Sequence, residues 1–576
     1  MFKIFGDINK IFSEKHKLQL IFIFFFAIII SIIETIGIGS LVAYVMILQD
    51  PYEHISKIPL ENLKIYLKDL DKLTIAIYSS LFVVLFFIFK NLTLALFYYC
   101  EGKITKNIRI GISKNAFSII LNKSYKFHVN QNRASFINLV VSVSSTAIMY
   151  IFGLLLILRE ALILIFLFTF LIFVSAKLSL IVFLILILSS YIFYSYFKKK
   201  IKLMGSKKIE MEKKLYKYLN EAFASIKLIK LLEKNTFWIR KYFSAKNRLE
   251  QYQLINYLIG RSPKIFLELL AVISVVGVFL FFISSGKTIE DLIPILTLIV
   301  LIIVRSIPGF VNINTSINAL NYSYPALQKI LNVFLENKNK IIDGVTENLP
   351  KKIINLNSIE LKNVHYSHEE RDLTLNNISI KINKGDVIGI TGKTGSGKTT
   401  LVDIILGLLV PQKGEVLING KIIEKNSKIN VGYVTQDTYL TDDSILENIA
   451  FSNYVDDIDI KKVDKAVNRA NLKNFIESLP NKINTLVGDA GARVSGGQKQ
   501  RIGLARAIYE DPDLLVLDEA TSSLDYETEE EIINNIFKFN ENKIILMITH
   551  RLSTLKFCNK VINLEKGGSI KSNNET

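Results

Sequence analysis

Six long apolar runs fill the first part of the chain. They span residues 18–48, 75–99, 146–174, 178–197, 265–283 and 292–322, and each approaches or exceeds the roughly 20 residues that a helix needs to cross a bilayer. After residue 325 or so, short apolar strands alternate with charged helices. The pattern predicts an α-helical six-span transmembrane domain at 1–325, a linker at 326–356 and an α/β domain at 357–576.

The ends of the runs and the residues between them predict the topology. The first run is far longer than a signal-peptide core, so we expect it to be retained as a membrane helix. The third and fourth runs are separated only by SAKLS, which predicts a tight hairpin. Lysines crowd the N-terminal arm and the stretches after the second and fourth runs, whereas loop 50–73 balances four lysines with five acids. Because basic residues concentrate in cytoplasmic loops, both termini are expected in the cytoplasm.

Composition excludes some classes of protein. A hydrophobic content of 50% with a mean hydropathy of +0.33 is too apolar for a soluble chain of 576 residues. The net charge of +18 accompanies lysines spread along the whole chain, so we expect no nucleic-acid partner. The two cysteines, Cys100 and Cys558, fit no metal or redox spacing and are expected to be inert.

The stretch VIGITGKTGSGKTT, residues 387–400, carries phosphate-binding chemistry. A short apolar strand runs into a glycine-rich loop, and an apolar helix follows. Glycines let a backbone wrap a phosphate, while the N–H groups at the helix start point at its oxygens. The motif therefore predicts an ATP site in which Lys398 contacts the outer phosphates and Thr399 ligates Mg²⁺. The remaining cradle residues are Gly392, Gly395, Ser396, Gly397 and Thr400.

Two further stretches belong with such a site. The sequence DLLVLDEATSSLD places Asp518 at the end of an apolar strand as a second Mg²⁺ ligand, and Glu519 follows as the expected base for the attacking water. The sequence ARVSGGQKQ opens a helix with a second phosphate cradle, formed by Ser495, Gly496, Gly497 and Gln498. Since one phosphate needs one cradle, we expect the second to close over nucleotide held by another copy of the chain.

With these motifs in place, residues 357–565 resemble the nucleotide-binding domains of ATP-binding cassette (ABC) transporters. The resemblance implies that Gln436 in VGYVTQD contacts Mg²⁺, that Asp525 lies in the loop after the catalytic glutamate, and that His550 in LMITHRLS is the switch histidine. It places the adenine-stacking aromatic at His368, with Tyr366 as the alternative. The whole chain resembles an exporter half-transporter, which implies a homodimer and ATP-hydrolysing transport.

The membrane part contains the stretches SIIETIGIGSLVAYVMIL, PKIFLE and VRSIP, and the α/β domain contains SLPNKINTLVGDAG. These dispersed stretches are similar to those of flippases of lipid-linked oligosaccharides. That resemblance implies a polyprenyl-diphosphate glycan as substrate, a bacterial cytoplasmic membrane location, and three basic residues facing a central cavity: Lys90, Lys264 and Arg305. A buried cation equally suits an intramembrane partner such as Glu34, Glu160 or Glu268. The alternative function is export of another lipid, lipopeptide, peptide or drug. A peptidase-linked exporter is disfavoured because only a short arm precedes the first run.

Overall fold

The computed structural model describes residues 14–49, 51–52, 70–284, 289–335, 355–368, 374–422, 429–451, 455–521, 525–539, 542–565 and 568–569. It divides into two units. One contains residues 1–123 and 127–345, and the other contains residues 124–126 and 346–576. Most of the linker expected at 326–356 lies outside the described residues.

Helices make up almost all of the described chain up to Leu335. They are α1 (Glu14–Gln49), α2 (Lys72–Leu121), α3 (Tyr125–Val129), α4 (Arg133–Asn138), α5 (Ser144–Ala224), α6 (Ile226–Leu231), α7 (Asn235–Ser284) and α8 (Ile289–Leu335). A π-helical turn, Leu139–Val143, joins α4 to α5. Within the described residues, three segments are long and apolar enough to cross a membrane: Glu14–Val45, Lys72–Leu121 and Arg133–Thr169.

The chain reverses direction inside α5. The rings of Phe168 and Phe183 stack with their centroids 4.0 Å apart. In an uninterrupted helix, 15 residues would separate them by about 22 Å along the axis. The contact therefore confirms the hairpin that the short SAKLS connection predicts between the third and fourth apolar runs.

Close packing between helices fixes the rest of this unit. Phe97 of α2, Ile148 of α5 and Phe334 of α8 are each 1% exposed and belong to one apolar cluster. At Gly205 of α5 a Cβ atom would meet the backbone of Tyr322 in α8. The two backbones touch at this point, so any side chain there would force α5 and α8 apart.

The second unit contains two sheets. Its strands are β1 (Ser358–Tyr366), β2 (Leu375–Asn383), β3 (Val387–Gly392), β4 (Lys413–Ile418), β5 (Lys421–Ile422), β6 (Val431–Val434), β7 (Leu514–Asp518), β8 (Ile544–Ile548) and β9 (Lys560–Leu564). One sheet is antiparallel in the order β2-β1-β4-β5, and the other is parallel in the order β6-β7-β8-β3-β9.

The helices of this unit are α9 (Lys398–Ile405), α10 (Ile445–Ala450), α11 (Ile460–Arg469), α12 (Lys473–Ser478), α13 (Gly496–Ile508), α14 (Tyr526–Phe539) and α15 (Leu552–Leu555). Every residue of β7 and of β8 is buried, as expected for central parallel strands covered on both faces. The neighbouring strands β7, β8 and β3 run in the same direction, so their carboxyl ends meet at one edge of the sheet. Residues that follow them can therefore form one site.

Candidate functional site

The loop between β3 and α9 has the backbone of a phosphate cradle. Gly397, which precedes α9, has φ +98°, a conformation that L side chains rarely adopt. A Cβ atom at Gly397 would also lie 2.7 Å from the carbonyl oxygen of Thr374. Both observations require glycine at this position, which explains why the loop can curl directly into the start of α9.

Polar side chains of this loop point inward. Lys398 Nζ donates to the carbonyl oxygens of Gly392, at 2.7 Å, and Lys393, at 3.2 Å. Burial lowers the pKa of the Lys398 ammonium. Ser396 is 1% exposed, and its hydroxyl oxygen has no hydrogen-bond partner. An unpaired buried hydroxyl is costly, so this loop has spare hydrogen-bonding capacity for the oxygens of a phosphate group.

The two candidate adenine platforms differ in exposure. Tyr366 is 3% exposed and packs in the apolar core with Leu375, its partner across the sheet. His368 is half-buried, and its Nε2 lies 3.3 Å from Oγ1 of Thr400 in the first turn of α9. The imidazole is therefore the more accessible ring beside the phosphate loop.

Asp518 ends β7 inside a polar cluster that sequence inspection overlooked. Tyr433 of β6 donates its hydroxyl to Asp518 Oδ2 at 3.3 Å. Burial raises the pKa of Asp518. Burial and the nearby charge of Asp518 together raise the pKa of Asp403 to about 6. Tyr433 lies in the stretch VGYVTQD and Asp403 in the apolar stretch LVDIILGLL, but neither residue was singled out from the sequence.

Glu519 brings the candidate catalytic residues together. Its Oε2 accepts a hydrogen bond of 2.7 Å from Gln436 Nε2, and its Oε1 lies 3.8 Å from His550 Nε2. Its N–H donates to the carbonyl oxygen of Ile548 at 3.0 Å, which ties the end of β7 to β8. Glu519 has φ +49°, a left-handed conformation that is uncommon for a residue other than glycine. The three side chains named from the sequence motifs therefore form one contact group.

The oxygen ligands expected for Mg²⁺ fit that ion. Thr399 supplies a hydroxyl, Asp518 a carboxylate and Gln436 an amide, and Mg²⁺ prefers oxygen donors of these kinds. Within the described part of the chain, no group of three or more His, Cys, Asp or Glu residues could hold a metal alone.

The second predicted cradle is a separate helix start. Ser495 caps α13: its hydroxyl accepts the N–H of Gln498 at 3.3 Å, while Gln498 Oε1 accepts the N–H of Ser495 at 2.8 Å. Among the described residues, no hydrogen bond or ion pair joins this segment to the loop at 392–400. Asp525 lies just before α14 and accepts the N–H of Thr528 at 3.0 Å.

Lys90 is paired within the membrane unit. Its Nζ lies 3.3 Å from Glu34 Oε2, and both residues are buried, at 9% and 4% exposure. The ammonium also lies 4.8 Å from the centroid of the Phe87 ring. Lys90 thus has the intramembrane partner that the sequence left open as an alternative to substrate.

A second buried ion cluster joins α2, α5 and α8. Arg159 donates to Glu101 at 3.3 Å and to Glu160 at 2.8 Å, and Asn312 also donates to Glu160, at 3.1 Å. Sequence inspection noted Glu160 but missed Arg159 and Glu101, which lie 58 residues apart.

The two other basic candidates differ from Lys90. Lys264 and Glu268 are both exposed on α7, and no ion pair joins these two described residues. Arg305 lies on α8, and its side chain falls outside the described residues. The three basic candidates named from the sequence are therefore not brought together by any described contact.

Family models match both units of the chain. The model of the ABC transporter transmembrane region matches residues 17–306, just over half of the 576 residues, and the ABC transporter model matches residues 375–522. Among solved structures, a bacterial Atm1-family ABC exporter with ATP bound is similar with a TM-score of 0.75. The match covers 94% of this chain and 93% of that one, at 18% identity, and therefore shows the fold alone.

Curated relatives are similar over a shorter stretch. The leukotoxin export ATP-binding protein LtxB of Aggregatibacter actinomycetemcomitans is 42% identical over 217 residues. The alpha-hemolysin translocation ATP-binding protein HlyB of Proteus vulgaris is 40% identical over 217 residues. Each match covers 37% of this chain and 30% of the relative's length.

Proposed function

Because this chain belongs to the ABC transporter family, with the family's transmembrane region joined to its ATPase domain, we propose that it is an ATP-driven exporter. Its transmembrane segments lie in a bacterial cytoplasmic membrane, with both termini in the cytoplasm. The observation that carries the proposal is the contact group of Gln436, Glu519 and His550 at the carboxyl ends of adjacent strands.

In this proposal the loop at 392–400 holds the phosphates of ATP. Its backbone N–H groups and Lys398 neutralise the phosphate oxygens, and His368 stacks on the adenine. Thr399, Asp518 and Gln436 would hold Mg²⁺, which would spread the negative charge that develops during phosphoryl transfer. Glu519 accepts a proton from the attacking water, and His550 stabilises the outermost phosphate.

The working molecule is a homodimer. Ser495, Gly496, Gly497 and Gln498 present a helix start to a phosphate, yet they have no described bond to the cradle of their own chain. Two copies arranged head to tail would place this segment of each chain over the nucleotide of the other, with Asp525 beside it. Each dimer would then contain two composite ATP sites.

We infer an amphiphilic export substrate, either a peptide or a lipid, in preference to a lipid diphosphate. The described ion pair with Glu34 gives Lys90, one of the three basic residues considered for a diphosphate, a partner within the protein. The relatives at 40–42% identity are named for translocation of hemolysin and leukotoxin. The comparisons lend the oligosaccharide flippase no support.

The substrate class can be tested by stimulation of ATP hydrolysis. The purified protein in liposomes should hydrolyse ATP, and an amphipathic peptide or a phospholipid analogue should raise the rate. A short-chain polyprenyl diphosphate linked to a sugar should leave the rate unchanged. Stimulation by the diphosphate alone would instead support the function of an oligosaccharide flippase. A protein without any ATPase activity would refute the transporter proposal as a whole.

Mixed subunits test the composite site. Lys398→Met removes the phosphate contact from one cradle, and Ser495→Arg blocks the other, so each variant alone should be inactive as a homodimer. Dimers with one subunit of each kind contain one site in which both cradles are intact. Coexpression should therefore restore part of the activity. No recovery in isolated mixed dimers would contradict sites shared between subunits.

A further inference from the structure

Glu529 of α14 is a buried carboxylate that receives three hydrogen bonds. It is 3% exposed. Its Oε1 accepts from the hydroxyls of Thr521, at 2.7 Å, and Thr554, at 3.0 Å, while its Oε2 accepts from Arg551 NH1 at 2.6 Å. An ionised carboxylate with this many partners is well compensated for its burial.

The three donors come from two segments of the chain, one after β7 and one after β8. Thr521 lies two residues after Glu519, beyond the end of β7, whereas Arg551 follows His550 directly, beyond the end of β8. Thr554 belongs to α15, the single turn that continues from Arg551. One carboxylate thus holds the segment that carries the proposed base and the segment that carries the proposed switch histidine.

We propose that Glu529 is a positioning residue that fixes the distance between Glu519 and His550, and so sets the rate of ATP hydrolysis. The inference rests on the roles given above to those two residues. Glu529 touches neither phosphate nor water in this scheme. It acts through Arg551 and Thr521, which bring His550 Nε2 to 3.8 Å from Glu519 Oε1.

The physical reason is geometric. His550 is exposed and sits in a loop, where a side chain is poorly placed without support. A charge-assisted bond of 2.6 Å to its neighbour Arg551 restrains that loop. The phosphate cradle at 392–400 makes no described contact with Glu529, so ATP binding should not depend on it. Loss of the restraint should therefore lower kcat and leave KM for ATP unchanged.

The test compares two variants with a matched control in the full-length protein. Glu529→Gln keeps the volume of the side chain but removes its ion pair with Arg551. Arg551→Met removes the same ion pair by changing the half-exposed partner. Glu530→Gln makes the same charge change at the adjacent, exposed position of α14. Both test variants should lower kcat about tenfold, or 1.4 kcal/mol of activation free energy, with KM unchanged. The double variant should be no slower than either single variant.

Hydrogen exchange provides a readout that does not need turnover. Amides of residues 549–555 should exchange faster in Glu529→Gln than in Glu530→Gln. This readout also separates the positioning role of Glu529 from the proposed function. An inactive wild-type protein would refute the proposed function, while hydrogen exchange would still test whether Glu529 restrains residues 549–555. A Glu529→Gln protein with the control's kcat and exchange rates would overturn the inference. So would a decrease in ATP affinity as large as the decrease in kcat. If Glu529→Gln does not fold, Arg551→Met decides by the same criteria.

Discussion

Gln436 Nε2 donates a 2.7 Å hydrogen bond to Glu519 Oε2. The glutamine follows β6 and the glutamate follows β7, so the bond links loops from two adjacent strands. Movement of the loop that carries Gln436 would break this hydrogen bond, so the position of Glu519 is coupled to the position of that loop.

Glu519→Gln should remove the base while leaving the phosphate cradle intact. ATP hydrolysis is expected to fall by about 10²- to 10⁴-fold, with nucleotide affinity retained. Purified protein can be assayed for phosphate release and for binding of a fluorescent nucleotide. Glu477→Gln, at an exposed position with no described partner, is the control. Near-normal turnover in the Glu519→Gln protein would exclude the role given to this residue.

Exposure separates the two candidate adenine platforms. His368→Ala should raise KM for ATP about two- to tenfold through lost stacking, and His368→Tyr should lower it by offering a larger ring. Tyr366→Ala should instead remove a buried side chain and cost about 3–5 kcal/mol of unfolding free energy. Kinetics combined with thermal unfolding distinguish the two. A Tyr366→Leu protein with a raised KM and unchanged stability would favour Tyr366 as the platform.

The pairing of Lys90 with Glu34 predicts a stability effect. Lys90→Met should cost about 3–5 kcal/mol, because it removes the cation from a buried carboxylate. Replacing both residues, as Lys90→Met with Glu34→Leu, should recover most of the loss. Lys264→Met, at an exposed lysine, should have little effect. Thermal unfolding in detergent compares the wild type with these three variants. A stable Lys90→Met protein that loses substrate-stimulated ATPase would assign Lys90 to the substrate.

Asp403 makes the stability of the ATPase domain depend on pH. Its pKa, raised by burial to about 6 from 3.8, means that the folded state keeps a proton that the unfolded state loses. Stability contributed at low pH should therefore decline as pH rises from about 4 through 6, by up to about 3 kcal/mol. Asp403→Asn should unfold at a higher temperature than wild type, and the gap should be wider at pH 7 than at pH 5. Asp442→Asn, at an exposed position, should show no such trend.

Local patterns predicted the parts of the fold whose cause is local. The strand, glycine loop and helix around Lys398 follow from apolar residues bounded by glycines, and the reversal between Phe168 and Phe183 follows from a short connection. The partner of Lys90 did not follow, because three glutamates in the membrane part were equally suitable by composition. Choosing Glu34 requires knowing which helix faces which, and helix packing depends on side-chain shape over many turns.

The candidate site was predictable where a motif records the chemistry. Gln436, Glu519 and His550 were each named from short motifs, and the structure places them in contact. Glu529 could not be named, since it is one of several acids in YETEEE and most such runs are solvated. Glu529 differs from Glu530 only in that it lies on the buried face of α14, and the sequence does not show which face is buried.

The left-handed backbone of Glu519 lowers the stability of the folded protein at a residue that the proposed catalysis requires. Glycine would relieve the conformational energy at this position, and of the ordinary residues asparagine would tolerate it best. Neither could take a proton from water. Selection for thermal stability alone would therefore favour substitutions of Glu519 that abolish ATP hydrolysis.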